Sequence, residues 1–305
     1  MHWATFKEPG STDHSIGVVV GEQIHVSKSG LQLIDLLGDD REALAREGDR
    51  TLADPSEIVA VSDVTILAPI PRPPSVRDFF AFEQHVKTSK EHLGFEMDPG
   101  WYQIPVFYFT NPTAIIGLDA PVAIPPGCTD LDFELEIAVV VGKGGSDISA
   151  DEAESHIAGY MIMNDWSARD LQREEMRHNL GPAKGKDFAT SVGPYLVTPD
   201  ELASVSKRKA FDLTMTATVN GKEYSRAVLG DIYWSFGEML AYASRGTTLV
   251  PGDIIGSGTC GTGCLLELRL TGGEEAFPWL KAGDAVELTV DHLGTLANEV
   301  VSGRA

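Results

Sequence analysis

Asp130, Asp132, Glu134 and Glu136 stand two residues apart in the stretch TDLDFELEIAVVVGKGG, which runs from Thr129 to Gly145. In an extended strand alternate side chains share a face, so these four carboxylates fall together while Leu131, Phe133, Leu135 and Ile137 fall opposite. One reading is an amphipathic strand with its acids in water. Against it stands the continuation Ala138-Val139-Val140-Val141, where alternation stops and the strand reads as buried on both faces up to Gly142. Carboxylates that lead into a buried strand repel one another and must take up protons or share a cation. A donor set of oxygens, with no Cys or His beside it, favours a hard ion: Mg²⁺ or Ca²⁺, with Mn²⁺ also admissible.

Three further segments offer polar chemistry, each with a plainer alternative. In GYMIMNDWSARDLQ, Gly159 to Gln172, an apolar strand ends at Met163, and Asn164 or Asp165 is placed to cap a helix beginning at Trp166. Arg169 then lies four residues after Asp165, and Gln172 three after Arg169, so all three project toward one site or make a cap with a local ion pair. Lys186 sits in the loop GPAKGKDF ahead of a strand at Val192–Val197, and an isolated loop lysine is ordinarily solvated. In RDFFAFEQH, Arg77 to His85, the histidine reads as a general base or as a helix-surface residue. The three cysteines make no disulfide framework, and Cys260-x-x-x-Cys264 lacks a second pair or a His cluster, so both read as core residues rather than a zinc site. Gly142-Lys-Gly-Gly145 has Asp147 where a dinucleotide fingerprint needs glycine, and Gly181 to Lys186 is misspaced for a P-loop.

The elements that must position these residues follow from composition and pattern. With 305 residues, 43% hydrophobic and 23% charged, the chain is globular. Twenty-four basic against 45 acidic residues give a formal charge of -21, which argues against nucleic acid or an anionic membrane as partner. The opening MHWATFKEPGSTDHS has neither the apolar core nor the basic flank of a signal peptide, and no apolar run approaches the ~18 residues of a spanning helix, so a cytoplasmic location is expected. Residues 1–68 read as a small leading unit: a hairpin of Ser15–Val20 and Gln23–Ser27 about Gly21-Glu22, then helical patterns at Leu31–Leu37 and Arg41–Glu47. A proline-rich connector, Ile66–Pro74, leads into a second unit, 69–305, with short strand patterns at Val106–Phe109, Ala114–Ile116, Phe211–Val219, Leu265–Leu270 and Ala285–Val290 and few convincing helices. The expected class is α+β and β-rich, not an alternating βα sheet.

In combination these segments resemble the fumarylacetoacetate hydrolase family over essentially the whole second unit. DFELEIAVVVG is similar to the family's metal-binding strand, with Glu134 and Glu136 at its two glutamate positions, and NDWSARDLQ to its second signature. The resemblance implies Asp165 and Asp78 as further metal ligands, Arg169, Gln172, Tyr108 and Thr259 as substrate contacts, His85 as catalytic base partnered by Glu267, and Lys186 as the active-site lysine. It implies a mixed β-roll catalytic domain behind a small α/β leading domain, a homodimer, and a small-molecule substrate. His85 would take a proton from water, and Lys186, Arg169 and Gln172 would stabilise the oxyanion that forms. The expected reaction is metal-dependent hydrolysis of a carbon–carbon bond in a 1,3-diketo or acylpyruvate-type acid; the alternative is decarboxylation or tautomerisation of oxaloacetate or a related 2-oxo acid. Two departures mark a bacterial-type relative: no arginine lies between His85 and Tyr108, where the namesake enzyme holds a second carboxylate, and Met176 replaces a tyrosine. Lys87 and Lys90 are then the only basic residues besides histidine in that stretch, on what reads as an exposed turn, so an uncharged tail is expected on the substrate.

Overall fold

The structure, a computed structural model, describes residues 1–303 apart from 41, 93 and 95. The run Leu135–Val141, which holds the β-branched Ile137, Val139, Val140 and Val141, forms a strand whose every residue is buried. Ile137, Val139 and Val141 enter one hydrophobic cluster with Ile162, Met215, Leu288 and Leu296. Ala138 and Val140 enter another with Trp3, Leu33, Met161 and Ile254. Each buried Val or Ile contributes roughly 1.5–3 kcal/mol, so this strand is a fixed reference for whatever its ends hold.

Around it a twelve-stranded sheet assembles in the order Ile58–Ala60, Gln23–Val26, Ser15–Val20, His2–Lys7, Thr190–Val197, Ile157–Asn164, Leu135–Val141, Ile254–Gly256, Val76–Phe79, Phe107–Thr110. Thr65–Leu67 pairs with His2–Lys7, and Ile115–Ile116 with Thr190–Val197. The expected hairpin is present, its turn made by Gly21 at φ 61°. His2 and Trp3 pair with Val197 and Leu196, so the strands of the first 68 residues and the strands beyond them share one sheet. A five-stranded sheet runs Lys222–Val228, Thr214–Val219, Ala285–Val290, Gly294–Val301, Val122–Ala123. The class is α+β and strand-rich, with helices at Ala43–Ala53, Glu83–His92, Arg169–Arg177, Phe236–Ala243 and Leu265–Gly272. Among the described residues no helix is long and apolar enough to cross a membrane.

Several local expectations are corrected. Leu265–Leu270 is not a strand but the body of the helix Leu265–Gly272. The chain does not turn helical at Trp166: it stays extended through Ser167–Ala168, which pairs with Leu131–Asp132, and the helix starts at Arg169. Neither Asn164 nor Asp165 caps it; the N-cap position is Ala168. The acidic strand is interrupted at Phe133 and Glu134, between Leu131–Asp132 and Leu135–Val141. Leu31–Leu37 yields only a 3₁₀ turn at Leu33–Leu36, and Phe211–Val219 divides into Ala210–Phe211 and Thr214–Val219. The second helical pattern is borne out by Ala43–Ala53; its first residue, 41, lies outside the described residues. Lys87 and Lys90 stand on the helix Glu83–His92, not on a turn.

Candidate metal and catalytic centre

Asp78, Glu134, Glu136 and Asp165 each bring a carboxylate oxygen within 4.8 Å of the other three, and all four residues are buried. They arrive on or beside the ends of three strands of the sheet: Leu135–Val141 and its neighbour Ile157–Asn164, and Val76–Phe79, which lies beyond the intervening Ile254–Gly256. Asp78, on Val76–Phe79, lies beside Gly256 in parallel register, and a Cβ at Gly256 would stand 2.5 Å from Asp78 Oδ1, so only glycine leaves room for that carboxylate. Gly258 N–H donates to the same oxygen at 3.1 Å. Glu136 opens the buried strand opposite Met163, and Asp165 follows Asn164, whose Oδ1 accepts the Glu134 N–H at 2.9 Å. Asp130, the first of the acidic stripe, does not join them; it pairs with Arg173.

Charge at the cluster is unbalanced. Lys186 Nζ contacts Glu134 Oε2 and lies 2.6 Å from Asp165 Oδ2, while Arg169 donates to Glu134 Oε1 at 2.6 Å. Burial opposes ionisation of Glu134, but Lys186 and Arg169 overcome it and hold the carboxyl down to about 2. For Asp78 burial, then Asp165, outweighs the more modest pull of Lys186 and pushes it up to about 7. Burial and the neighbouring Asp78, Glu134 and Asp165 drive Glu136 well above the usual carboxylate range. Asp165 is also raised by burial, against the pull of Lys186. Tyr108 shows the same shortage of positive charge: its hydroxyl lies 2.9 Å from Asp78 Oδ2 and also hydrogen-bonds Asp165, yet it has one proton to give. Glu136 Oε2 and Asp165 Oδ1 are buried with no hydrogen-bond partner among the described residues. Two orphaned carboxylate oxygens within a ring of four buried acids fit a divalent cation with oxygen ligands.

Beside the acids, His85 Nδ1 lies 2.8 Å from Glu267 Oε2, both side chains buried. A carboxylate can only accept, so this contact fixes the Nδ1–H tautomer and leaves Nε2 with its lone pair. Glu267 owes its place to Asp132. The fully buried Asp132 accepts the Leu265 N–H at 2.6 Å and the Leu266 N–H at 3.0 Å, seating the N-terminus of the helix that carries Glu267. The same carboxylate accepts Arg169 Nε at 2.8 Å. Arg169 NH1 donates to Gln172 Oε1 at 2.9 Å, so arginine and glutamine are joined to each other. Thr259 Oγ1 is 3.4 Å from Glu136 Oε1.

All eleven site residues named from the sequence therefore converge on one region, buried except at the half-buried Tyr108 and Gln172. Lys186 is not a solvated loop lysine: it is buried, and the acids around it raise its pKa despite the cost of burial. Two supporting residues escaped the sequence reading. Asp132 stood in the acidic stripe without a role of its own. Glu175, one turn beyond Gln172, accepts the N–H groups of Ala183 and Gly185, each at 3.1 Å, and of Lys184, holding the loop that delivers Lys186. Its only sequence signal was its place on the helical face that follows Arg169.

Comparison with known proteins agrees with this geometry. The family model for the fumarylacetoacetate (FAA) hydrolase C-terminal domain matches residues 75–301. Fumarylacetoacetase of Oryza sativa subsp. japonica is 32% identical over 292 residues, covering 76% of this chain and 67% of the relative. Oxaloacetate tautomerase YisK of Bacillus subtilis is 31% identical over 247 residues, covering 80% of this chain and 76% of the relative. The fumarylacetoacetate hydrolase EaFAH of the psychrophile Exiguobacterium antarcticum superposes with a TM-score of 0.75 over 100% of both chains, at 26% identity. Maleylpyruvate hydrolase of Sphingobium sp. SYK-6, solved in complex with manganese(II) and pyruvate, shares the fold with a TM-score of 0.74 over 100% of both chains, at 22% identity. Since the matched span contains each strand that supplies an acid and both helices that bear the His85–Glu267 pair, the chain belongs to the fumarylacetoacetate hydrolase family and is an enzyme of that superfamily.

Proposed function

We propose that this protein is a divalent-metal-dependent hydrolase that cleaves a carbon–carbon bond in a 1,3-diketo or acylpyruvate-type acid. The observation that carries the reading is the buried His85–Glu267 pair beside the four-acid cluster, a base with its orienting carboxylate where a water must be activated. Asp78, Glu134, Glu136 and Asp165 would hold Mg²⁺, Mn²⁺ or Ca²⁺, which when bound supplies Lewis-acid polarisation of carbonyl oxygens. His85 Nε2 takes the proton from water while Glu267 stabilises the imidazolium that results. Lys186 supplies a fixed positive charge for the developing oxyanion. Arg169 and Gln172, joined to each other here, and Tyr108 border the same space and orient the substrate; Thr259 steadies Glu136. Residues 69–305 carry this chemistry and residues 1–68 form the leading unit, a division supported by the family match beginning at 75. We further propose a cytoplasmic homodimer; exposed Ile104, Val106 and Phe109, on and beside the edge strand Phe107–Thr110, offer an apolar surface for a second copy.

A second reading, tautomerisation or decarboxylation of oxaloacetate or a related 2-oxo acid, is favoured by relatives of 31–32% identity named oxaloacetate tautomerases. The same His85–Glu267 pair can move a proton from carbon as well as from water. A panel of acylpyruvates, 1,3-diketones and oxaloacetate, assayed with Mg²⁺, Mn²⁺ and Ca²⁺ for released acid, carbon dioxide and enol absorbance, separates the two. On the hydrolase reading His85→Ala keeps the metal but loses acid release by ~10²-fold or more. Full hydrolysis in that variant removes His85 as the base, and turnover of oxaloacetate alone establishes the second reading.

A further inference from the structure

A second set of ligating atoms shares Glu134 with the acid cluster: a nitrogen of His85, a carboxylate oxygen of Glu134 and Sγ of Cys264 lie within 4.8 Å of one another, all from buried residues. The placement is firm. Glu134 and Cys264 face each other in an antiparallel backbone bridge, and Cys264 is the N-cap of the helix Leu265–Gly272, its sulfur accepting the Glu267 N–H at 3.5 Å. His85 is held through Nδ1 by Glu267, and among the described residues its Nε2 has no hydrogen-bond partner, an open lone pair on a side chain more than nine-tenths buried.

The donors differ in kind from those of the first cluster. One imidazole nitrogen, one sulfur and one carboxylate oxygen suit a borderline-soft ion with a fourth position open, and a thiolate discriminates against Mg²⁺ and Ca²⁺. We propose that His85, Glu134 and Cys264 form a second metal site, selective for thiophilic divalent ions of the zinc class, whose occupation arrests the enzyme by taking up the His85 lone pair. Coordination releases the Cys264 thiol proton to solvent, and the thiolate sulfur becomes the bond to the ion. Arg169 and Lys186 already touch the two oxygens of Glu134. Their charge weakens any dication placed there, so the site is a reversible brake rather than a resident structural centre. The site stands on geometry alone; its inhibitory effect rests on the reading of His85 as the catalytic base.

The test is cobalt(II) added to full-length protein saturated with Mg²⁺. A thiolate-to-cobalt charge-transfer band in the near ultraviolet is expected, abolished by Zn²⁺ and missing in Cys264→Ser, since a cobalt ion in the all-oxygen cluster gives none. Serine is a favourable N-cap, so this variant keeps its helix and its Mg²⁺-supported activity. Zn²⁺ should inhibit the parent, and the half-inhibiting concentration should rise by roughly tenfold or more in Cys264→Ser. Absence of the band in the parent overturns the site without reference to any variant. Equal zinc inhibition of parent and variant also overturns it, zinc then acting at the acid cluster. A Cys264-dependent band without inhibition leaves the site standing but overturns both the brake and the role of His85 as base.

Discussion

Saturating Mg²⁺ should raise the melting temperature far more at pH 8 than at pH 5. Four carboxylates, with the buried Asp132 a fifth that shares Arg169, meet two cations, Lys186 and Arg169, so full ionisation leaves an excess of three negative charges. Without metal the deficit is met by protons, as the displacement of Asp78 from 3.8 to about 7 expresses. A carboxyl raised in the folded state binds its proton more tightly there than in the unfolded chain, so the metal-free protein loses stability as pH rises from about 4 toward 7. Glu134, lowered from 4.5 to about 2, works in the opposite sense, but below pH 4.5 and outside the window compared. At pH 8, Mg²⁺ at about a hundred times its dissociation constant contributes ~2.7 kcal/mol. With an unfolding entropy of ~2.1 cal/mol/K per residue over 305 residues, that is ~4 °C. At pH 5 the ion must displace the Asp78 proton, two pH units below about 7, which weakens binding about a hundredfold and leaves a gain of less than ~1 °C at the same concentration. Differential scanning fluorimetry of chelator-treated protein, in acetate and in HEPES at equal ionic strength, measures both gains. Calorimetry in buffers of different ionisation enthalpy counts the released proton. Equal gains at the two pH values, or a full gain at pH 8 in Glu136→Gln, would refute the argument.

Asp132→Asn keeps an acceptor for the helix at Leu265 but removes the charge facing Arg169; breaking a buried pair costs about 3–5 kcal/mol, and the remaining Glu134 contact brings the expectation to ~2–3 kcal/mol with reduced turnover. Urea unfolding checks it, and a change within ~0.5 kcal/mol would show that Asp132 is not a structural hub. Gly256→Ala places a methyl 2.5 Å from Asp78 Oδ1 and 3.0 Å from the Met163 side chain, so Mg²⁺ affinity by calorimetry should fall by roughly tenfold or more in a protein that still folds. On the substrate side, Lys87 is engaged by Glu83 at 2.7 Å and the Arg77 guanidinium packs 4.8 Å over Phe109, near Asp253. Without a charged hydrogen bond of ~1.5–3 kcal/mol at the far end, kcat/KM should favour an acylpyruvate with an uncharged tail over fumarylacetoacetate by ~10- to 150-fold. The reverse preference would reveal a cation lining the pocket.

The acids were legible because period-two spacing and burial are both local signals: Glu134 and Glu136 declare themselves beside Ala138–Val141, and the structure buries that strand on both faces. Leu265–Leu270 was illegible for the opposite reason. LLELRL alternates like a strand, but the helix is nucleated from outside by Asp132, which takes up its first N–H groups. Trp166 misled in the same way. The cap signal in Asn164-Asp165 is local, whereas pairing of Ser167–Ala168 with Leu131–Asp132 and the bond from Trp166 Nε1 to Ser191 are not. The site itself is split similarly: its ligands follow from spacing and resemblance, while Glu175 and Asp132 act on segments no local pattern links to them.

The pairing of His2–Lys7 with Thr190–Val197 sets a rule for grafting and truncation. Cutting the first 68 residues away would strip the partner from a strand that lies one place from the acid-bearing neighbours, and would uncover Ala138, Val140 and Met161, which Trp3 and Leu33 now help to roof. A bare, flat, apolar strand edge is a template for intermolecular pairing. A minimal catalytic fragment is therefore expected to precipitate unless the replacement leader supplies both a strand to close that edge and an aromatic lid. For this chain a replacement leader serves only in kind, as one sheet-completing segment for another.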